Sequence, residues 1–242
     1  MNASRRFSGR RGWRLCVCVP LMVLALAAHS AVGEDAAAAS KDSATVMDSQ
    51  SGVTTTGKPE QEFGMEGFAS VGHMHIFANS WWSNLYLGGA DYYRHSWGHA
   101  AGARLDYTAA VLAVVLKQPE MTTVWGNFPP GTPHVYTEGL DIAPIGLRMQ
   151  WLSKHAVRPY LISRGGLMGT TKKAVSTYGS YLNLSLQIGT GVQFHLSPRW
   201  DGQIGWQLFH FSNAFMVPSN PGLDSSGYTC GLNYHLGPRN RE

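Results

Sequence analysis

Residues 182–196 read Leu-Asn-Leu-Ser-Leu-Gln-Ile-Gly-Thr-Gly-Val-Gln-Phe-His-Leu. Side chains alternate along an extended chain, so Leu182, Leu184, Leu186, Ile188, Val192 and Phe194 fall on one face. Asn183, Ser185, Gln187, Gly189, Gly191 and Gln193 fall on the other. Strands of soluble sandwiches are usually about 5–6 residues long. A longer strand, apolar on one side and Gln/Ser/Gly on the other, fits a barrel with lipid outside and a polar lumen. The pattern returns at Tyr228, Cys230, Leu232, Tyr234 and Leu236, which alternate with Thr229, Gly231, Asn233 and His235. It also returns in 200–212, where Ile204, Trp206 and Leu208 oppose Asp201, Gln203, Gly205 and Gln207.

Working outward, alternation predicts further strands at 66–76, 83–93, 102–117, 138–152 and 158–167. The expected fold is therefore all-β: an eight-stranded antiparallel transmembrane barrel of the outer-membrane kind. Connection lengths agree. Ser153 to Ala156 and Ser197 to Arg199 are short, whereas 118–136, 168–179 and 214–225 are long. Such barrels carry short turns on the periplasmic side and longer loops outside. The connection at 94–101 belongs on the short side but reads as moderately long. Trp81, Trp82, Tyr92, Tyr93, Trp151 and Tyr160, near predicted strand ends, are candidates for interfacial girdles.

The N-terminus has a different character. Arg5, Arg6, Arg10, Arg11 and Arg14 precede an apolar run from Leu15 to Ala28, and small residues follow. Residues 1–30 thus read as a secretory signal peptide, cleaved after Ser30 or Gly33. The run is short of the roughly 20 apolar residues of a membrane-spanning helix. Five of the 19 Lys and Arg residues lie in this leader, leaving 14 against 15 acidic residues. The sequence pI near 9.0 therefore reflects the leader, and nothing points to nucleic acid as a partner. Cys16 and Cys18 also leave with it. Cys230 then remains alone, with no internal disulfide to make. Residues 31–63, rich in Ala, Ser, Thr, Asp and Gly, read as a low-complexity and disordered segment. The barrel domain is expected over 64–236, with a polar tail at 237–242.

One cluster carries chemistry. His210-Phe211-Ser212-Asn213 is followed by Asn220, Gly222 and Asp224. A hydroxyl, an imidazole and a carboxylate are the parts of a serine-hydrolase triad: nucleophile, base and orienting acid. His210 and Ser212 are i, i+2 neighbours and point to the same side of their strand. Asp224 shares parity with Tyr228 and Cys230, so all three groups are expected on the barrel exterior near its outer rim. Ionisable groups facing lipid are costly and mark function by default.

The spacing His-x-Ser-Asn-(x6)-Asn-x-Gly-x-acid resembles the lipid A 3-O-deacylases of the PagL family. The resemblance implies an eight-stranded outer-membrane enzyme that cleaves an ester-linked 3-hydroxyacyl chain from lipid A. It implies Ser212 as nucleophile, His210 as general base and Asp224 where the family carries Glu. Asn213, Asn220 and Gly222 fall on the family's motif positions, with Asn213 assigned to organising the oxyanion site. The partners implied are lipid A or lipopolysaccharide as substrate and the lipid of the outer membrane; pairing with a second copy of the chain stays open. These roles require no metal or organic cofactor.

The remaining signals are weaker. His73 and His75 share a face but lack a third metal ligand at a recognisable spacing. His95 and His99 flank a predicted turn, which makes them surface residues. Gly165 and Gly166 sit within an alternating strand, where close packing accounts for them. Arg148 and Arg164 are expected to pair with Asp141, Asp106 or Glu138 in the lumen. Two other functions fit parts of the pattern: a non-catalytic barrel, structural or passing small solutes, and a soluble barrel that binds lipid inside.

Overall fold

The computed structural model describes residues 59–73, 76–78, 83–120 and 131–237. These form a closed antiparallel barrel in which each strand pairs with its sequence neighbours and β8 returns to β1. The strands are β1 (Gln61–His73), β2 (Asn84–Ala100), β3 (Ala103–Pro119), β4 (His134–Gln150), β5 (Val157–Thr170), β6 (Leu182–Ser197), β7 (Trp200–Ser212) and β8 (Leu223–His235). The expected eight-stranded barrel is the observed one. Met74, His75, Trp81 and Trp82 lie outside the described residues, as do residues 1–30, read above as a signal peptide.

The exception at 94–101 dissolves. β2 runs on to Ala100, β3 starts at Ala103, and Ala101 and Gly102 make the turn with φ of 51° and 72°. Positive φ at both central residues is what a tight hairpin turn requires. A bulge between His95 and His99 absorbs the extra length. His95 is accordingly a strand residue, and its Nδ1 lies 3.3 Å from Asp106.

β6 alternates as its sequence demands, with Asn183, Ser185, Gln187 and Gln193 buried and Leu182, Leu184 and Ile188 exposed. The exposed apolar side chains of all strands form the outer surface, and Cys230 is exposed among them. The interior has two layers. Towards the short turns, Arg148 reaches Glu62 at 3.1 Å and Asp106 at 2.7 Å, and Arg104 reaches Glu60 at 2.6 Å. Arg158 and His235 share Asp201 there. Arg164 binds Glu66 at 2.5 Å and Asp91 at 3.4 Å. Towards the long loops, Phe68, Leu85, Leu112, Leu116, Phe209 and Phe211 pack into one apolar cluster, joined by Ala174 and Val175 of the β5–β6 loop.

Several expectations change in this interior. Arg148 does take Asp106, but Glu138 points outward and is exposed. Asp141 is buried and accepts a bond from Gln187 at 2.8 Å rather than from an arginine in a direct pair. Tyr93 and Tyr160 are buried in the lumen instead of lying in a girdle. Adjacent residues of a strand face opposite sides, so Tyr92 and Tyr93 cannot both meet lipid. Tyr93 stacks beneath the Arg148 guanidinium at 3.8 Å. The turn-end girdle is built instead from edge-to-face contacts of Tyr92 and Trp97 with Tyr107, and of Trp200 with Tyr234.

Pro144 explains the break in alternation within β4. It cannot donate to a ladder, and the registers of β4 with both neighbours slip around it. Before it Thr137, Asp141 and Ala143 face inward; after it Arg148 and Gln150 do. Gly166 lies against this irregularity, where an added Cβ would come within 2.2 Å of the Ile142 carbonyl oxygen. Gly166→Ala is expected to lower stability by about 1–3 kcal/mol, measured as an earlier urea midpoint of tryptophan fluorescence in detergent. An unchanged midpoint would show that β4 can give way there.

Candidate functional site

His210 and Ser212 lie at the loop end of β7 on its outward face, with Trp206 and Leu208 below them. Asp224 stands directly opposite His210 in the β7–β8 ladder. Directly opposed residues bring their Cβ atoms within about 5.5 Å. The short aspartate side chain therefore reaches, and Asp224 Oδ1 lies 2.6 Å from His210 Nδ1. That bond leaves Nε2 as the ring nitrogen not engaged by Asp224. Among the described residues no hydrogen bond joins His210 to Ser212. Hydroxyl–imidazole bonds of this kind commonly tighten only when substrate binds.

Although its parity is outward, Asp224 is 0 % exposed. The chain beyond β1 covers it. Asp224 Oδ2 accepts three backbone N–H bonds, from Ile76 and Phe77 at 2.7 Å and from Ala78 at 3.1 Å. These amides replace water around a carboxylate that would otherwise be costly to bury. The Phe77 ring meets His210 edge-on, with centroids 5.4 Å apart. Nothing in the sequence marks this cover, because main-chain amides belong to every residue type.

The β7–β8 loop is tied together by Asn213. Its backbone N–H donates to Asn220 Oδ1 at 2.9 Å, its Nδ2 to the Ser219 carbonyl at 2.7 Å, and its Oδ1 accepts from Phe215 at 3.0 Å. Its carbonyl accepts from Met216 at 2.9 Å, closing a turn whose central residues Ala214 and Phe215 have φ of 50° and 60°. Left-handed backbone at non-glycine residues is strain that surrounding bonds must hold. Asn213 supplies those bonds, so its side chain serves the loop. Asn220 gives only its Oδ1 to this lattice. Ser219 Oγ also meets Ser176 Oγ at 2.8 Å, joining this loop to the β5–β6 loop.

Gly222 has φ of 60°, and a Cβ there would approach Ala78 Cβ to 3.1 Å. Motif glycine and cover segment thus fit one another. As for metal, the described residues hold one group of potential ligands, Glu60, Glu62 and His235, with atoms within 4.8 Å of one another. Arg104 and Arg148 already pair with these carboxylates, so the positive charge there comes from guanidinium.

Fold and site together define an outer-membrane-type barrel with a His–Asp pair and a serine on its lipid-facing side. The lipid A 3-O-deacylase (PagL) family model matches residues 68–233. The chain belongs to that family. Among solved structures it is similar to the outer-membrane enzyme PagL, at 17% identity and a TM-score of 0.49, over 70% of this chain and 97% of that one. It is also similar to Neisserial surface protein A, at 14% identity and 0.40, over 72% and 96%. The N-terminal barrel domain of Pseudomonas aeruginosa OprF follows at 10% and 0.39, over 74% and 100%. Among curated proteins none matches the chain.

Proposed function

We propose that the protein is an outer-membrane serine esterase that hydrolyses an ester-linked 3-hydroxyacyl chain of lipid A. The observation that carries this is the His210–Asp224 pair, held two residues from Ser212 on the lipid-facing surface, within a member of a lipid A deacylase family. In this reading Ser212 Oγ attacks the ester carbonyl as its proton passes to His210 Nε2. The tetrahedral intermediate collapses, the C–O bond to the sugar breaks, and His210 returns the proton to the leaving alkoxide. Water, deprotonated by His210, then attacks the acyl-serine; the acyl C–O bond to Ser212 breaks as His210 returns the proton to Oγ, and the 3-hydroxy fatty acid leaves.

Asp224 orients the imidazole and stabilises its charged form while keeping its own charge. Asn213 shapes the loop, and the amide nitrogen of Asn220 is the side-chain donor left to meet the developing oxyanion. The placement suits the substrate, whose ester lies where acyl chains meet the headgroup. The N-terminal leader delivers the chain across the inner membrane in this reading.

A solute channel needs an open lumen, whereas the described interior is filled by paired arginines at one end and packed apolar side chains at the other. The deciding experiment compares lipid A from cells making this chain with lipid A from cells making Ser212→Ala. Mass spectrometry is expected to show loss of one 3-hydroxyacyl group with the former alone. Identical lipid A in both strains, with both proteins folded in the membrane, would sink the proposal.

A further inference from the structure

We infer that the backbone of Ile76–Phe77–Ala78 selects aspartate as the acid of this site, with Phe77 as the positioning residue for His210; this rests on the hydrolase reading above. The family resemblance calls for glutamate at position 224, and a shorter side chain alone would leave the carboxylate out of place. Here it is not out of place. Both oxygens of Asp224 are used, Oδ1 by His210 at 2.6 Å and Oδ2 by three amides at 2.7–3.1 Å. The direct cross-strand position brings the imidazole to the carboxylate, and the cover segment closes on the other side.

A glutamate would push the carboxylate about 1.5 Å further along its own stem. Asp224 is fully enclosed, so that displacement must break the amide cluster, turn the His210 ring, or lift the segment. Phe77 links these outcomes. Its N–H holds the acid while its ring braces the base. The segment is seated in turn by Ala78 against Gly222, the position where a Cβ would crowd it. Ile76 and Phe77 are otherwise 51% and 59% exposed, so apolar surface is left beside the site, where an acyl chain would lie.

The test uses the full chain in detergent micelles, with folding of each variant checked by its heat-modifiable gel mobility. Asp224→Glu is expected to lower kcat by roughly 10- to 100-fold with KM little changed, the loss that follows from misplacing a catalytic group by about an ångström. Phe77→Pro, which deletes one amide donor and the ring, is expected to fall by a similar factor. In the Phe77→Pro background the further change to glutamate should cost less than about threefold, because the cluster that discriminates is already broken. By proton NMR, a low-field His210 Nδ1–H signal is expected in the parent, absent from Asp224→Asn and weakened in Phe77→Pro and Asp224→Glu. Full activity of Asp224→Glu, or an equal penalty in both backgrounds, overturns the inference. If the parent protein releases no fatty acid, the hydrolase reading fails. The NMR signal then decides alone: its persistence in Phe77→Pro and Asp224→Glu overturns the inference, and its loss sustains the clamp.

Discussion

Ser212→Ala is expected to reduce kcat for release of 3-hydroxy fatty acid by roughly 10⁴-fold or more. Removing the hydroxyl takes away the proposed nucleophile and nothing else. The His210–Asp224 bond, the Asn213 lattice and the amide cover make no use of Ser212 Oγ. Binding of lipid A should therefore survive, so the variant should still be retained on lipid A-containing micelles while turning over almost none. Quantifying released fatty acid by gas chromatography reads the effect directly. A variant within tenfold of the parent would remove Ser212 from the mechanism. It would leave a His–Asp pair acting on water as the chemistry to consider.

The second large effect concerns stability. Arg148 is fully buried and stands between Glu62 and Asp106, with Gln193 near its Nη1 at 3.4 Å. Arg148→Met keeps most of the volume but leaves Arg104 as the arginine paired with both carboxylates. Breaking a buried charge cluster by removing one partner costs about 3–5 kcal/mol. Urea unfolding in lipid vesicles, followed by tryptophan fluorescence, should show a loss of that order. Adding Glu62→Gln and Asp106→Asn should recover much of it, since the penalty lies in the uncompensated charges rather than in the missing contacts. A single variant as stable as the parent would mean that the network contributes little.

How far residues speak for the fold depends on which physical rule dominates locally. In β6 the rule is side-chain alternation against lipid, and the observed burial follows the sequence residue by residue. In β4 it is interrupted. Asp141 and Arg148 are of opposite parity yet both face inward, because the ladder slips around Pro144. Strict alternation would have sent one of them into lipid. Aromatic residues were the least legible. A tyrosine near a strand end suits an interface, but Tyr93 is drawn inward by the two guanidiniums around its ring. At the site, the side chains His210, Ser212 and Asp224 and their shared face were readable from spacing. The cover over Asp224 was not, since it acts through the main chain of a distant segment. Asn213, read from the spacing as organising the oxyanion site, has its side-chain amide bonded within the loop to Ser219 and Phe215, which spacing alone does not reveal.

The two-layered lumen has a further meaning for proton movement. Behind His210 and Ser212, on the inward face of the same strand, stand Phe209 and Phe211, packed against Leu223 and the rest of the apolar cluster. Among the described residues, that layer stands between the outer-rim groups and the arginine–carboxylate network deeper in the barrel. In the proposed reaction, protons and water would therefore arrive and depart along the external surface. In that reading the lipid–water boundary around the rim, rather than the lumen, sets the environment of the imidazole.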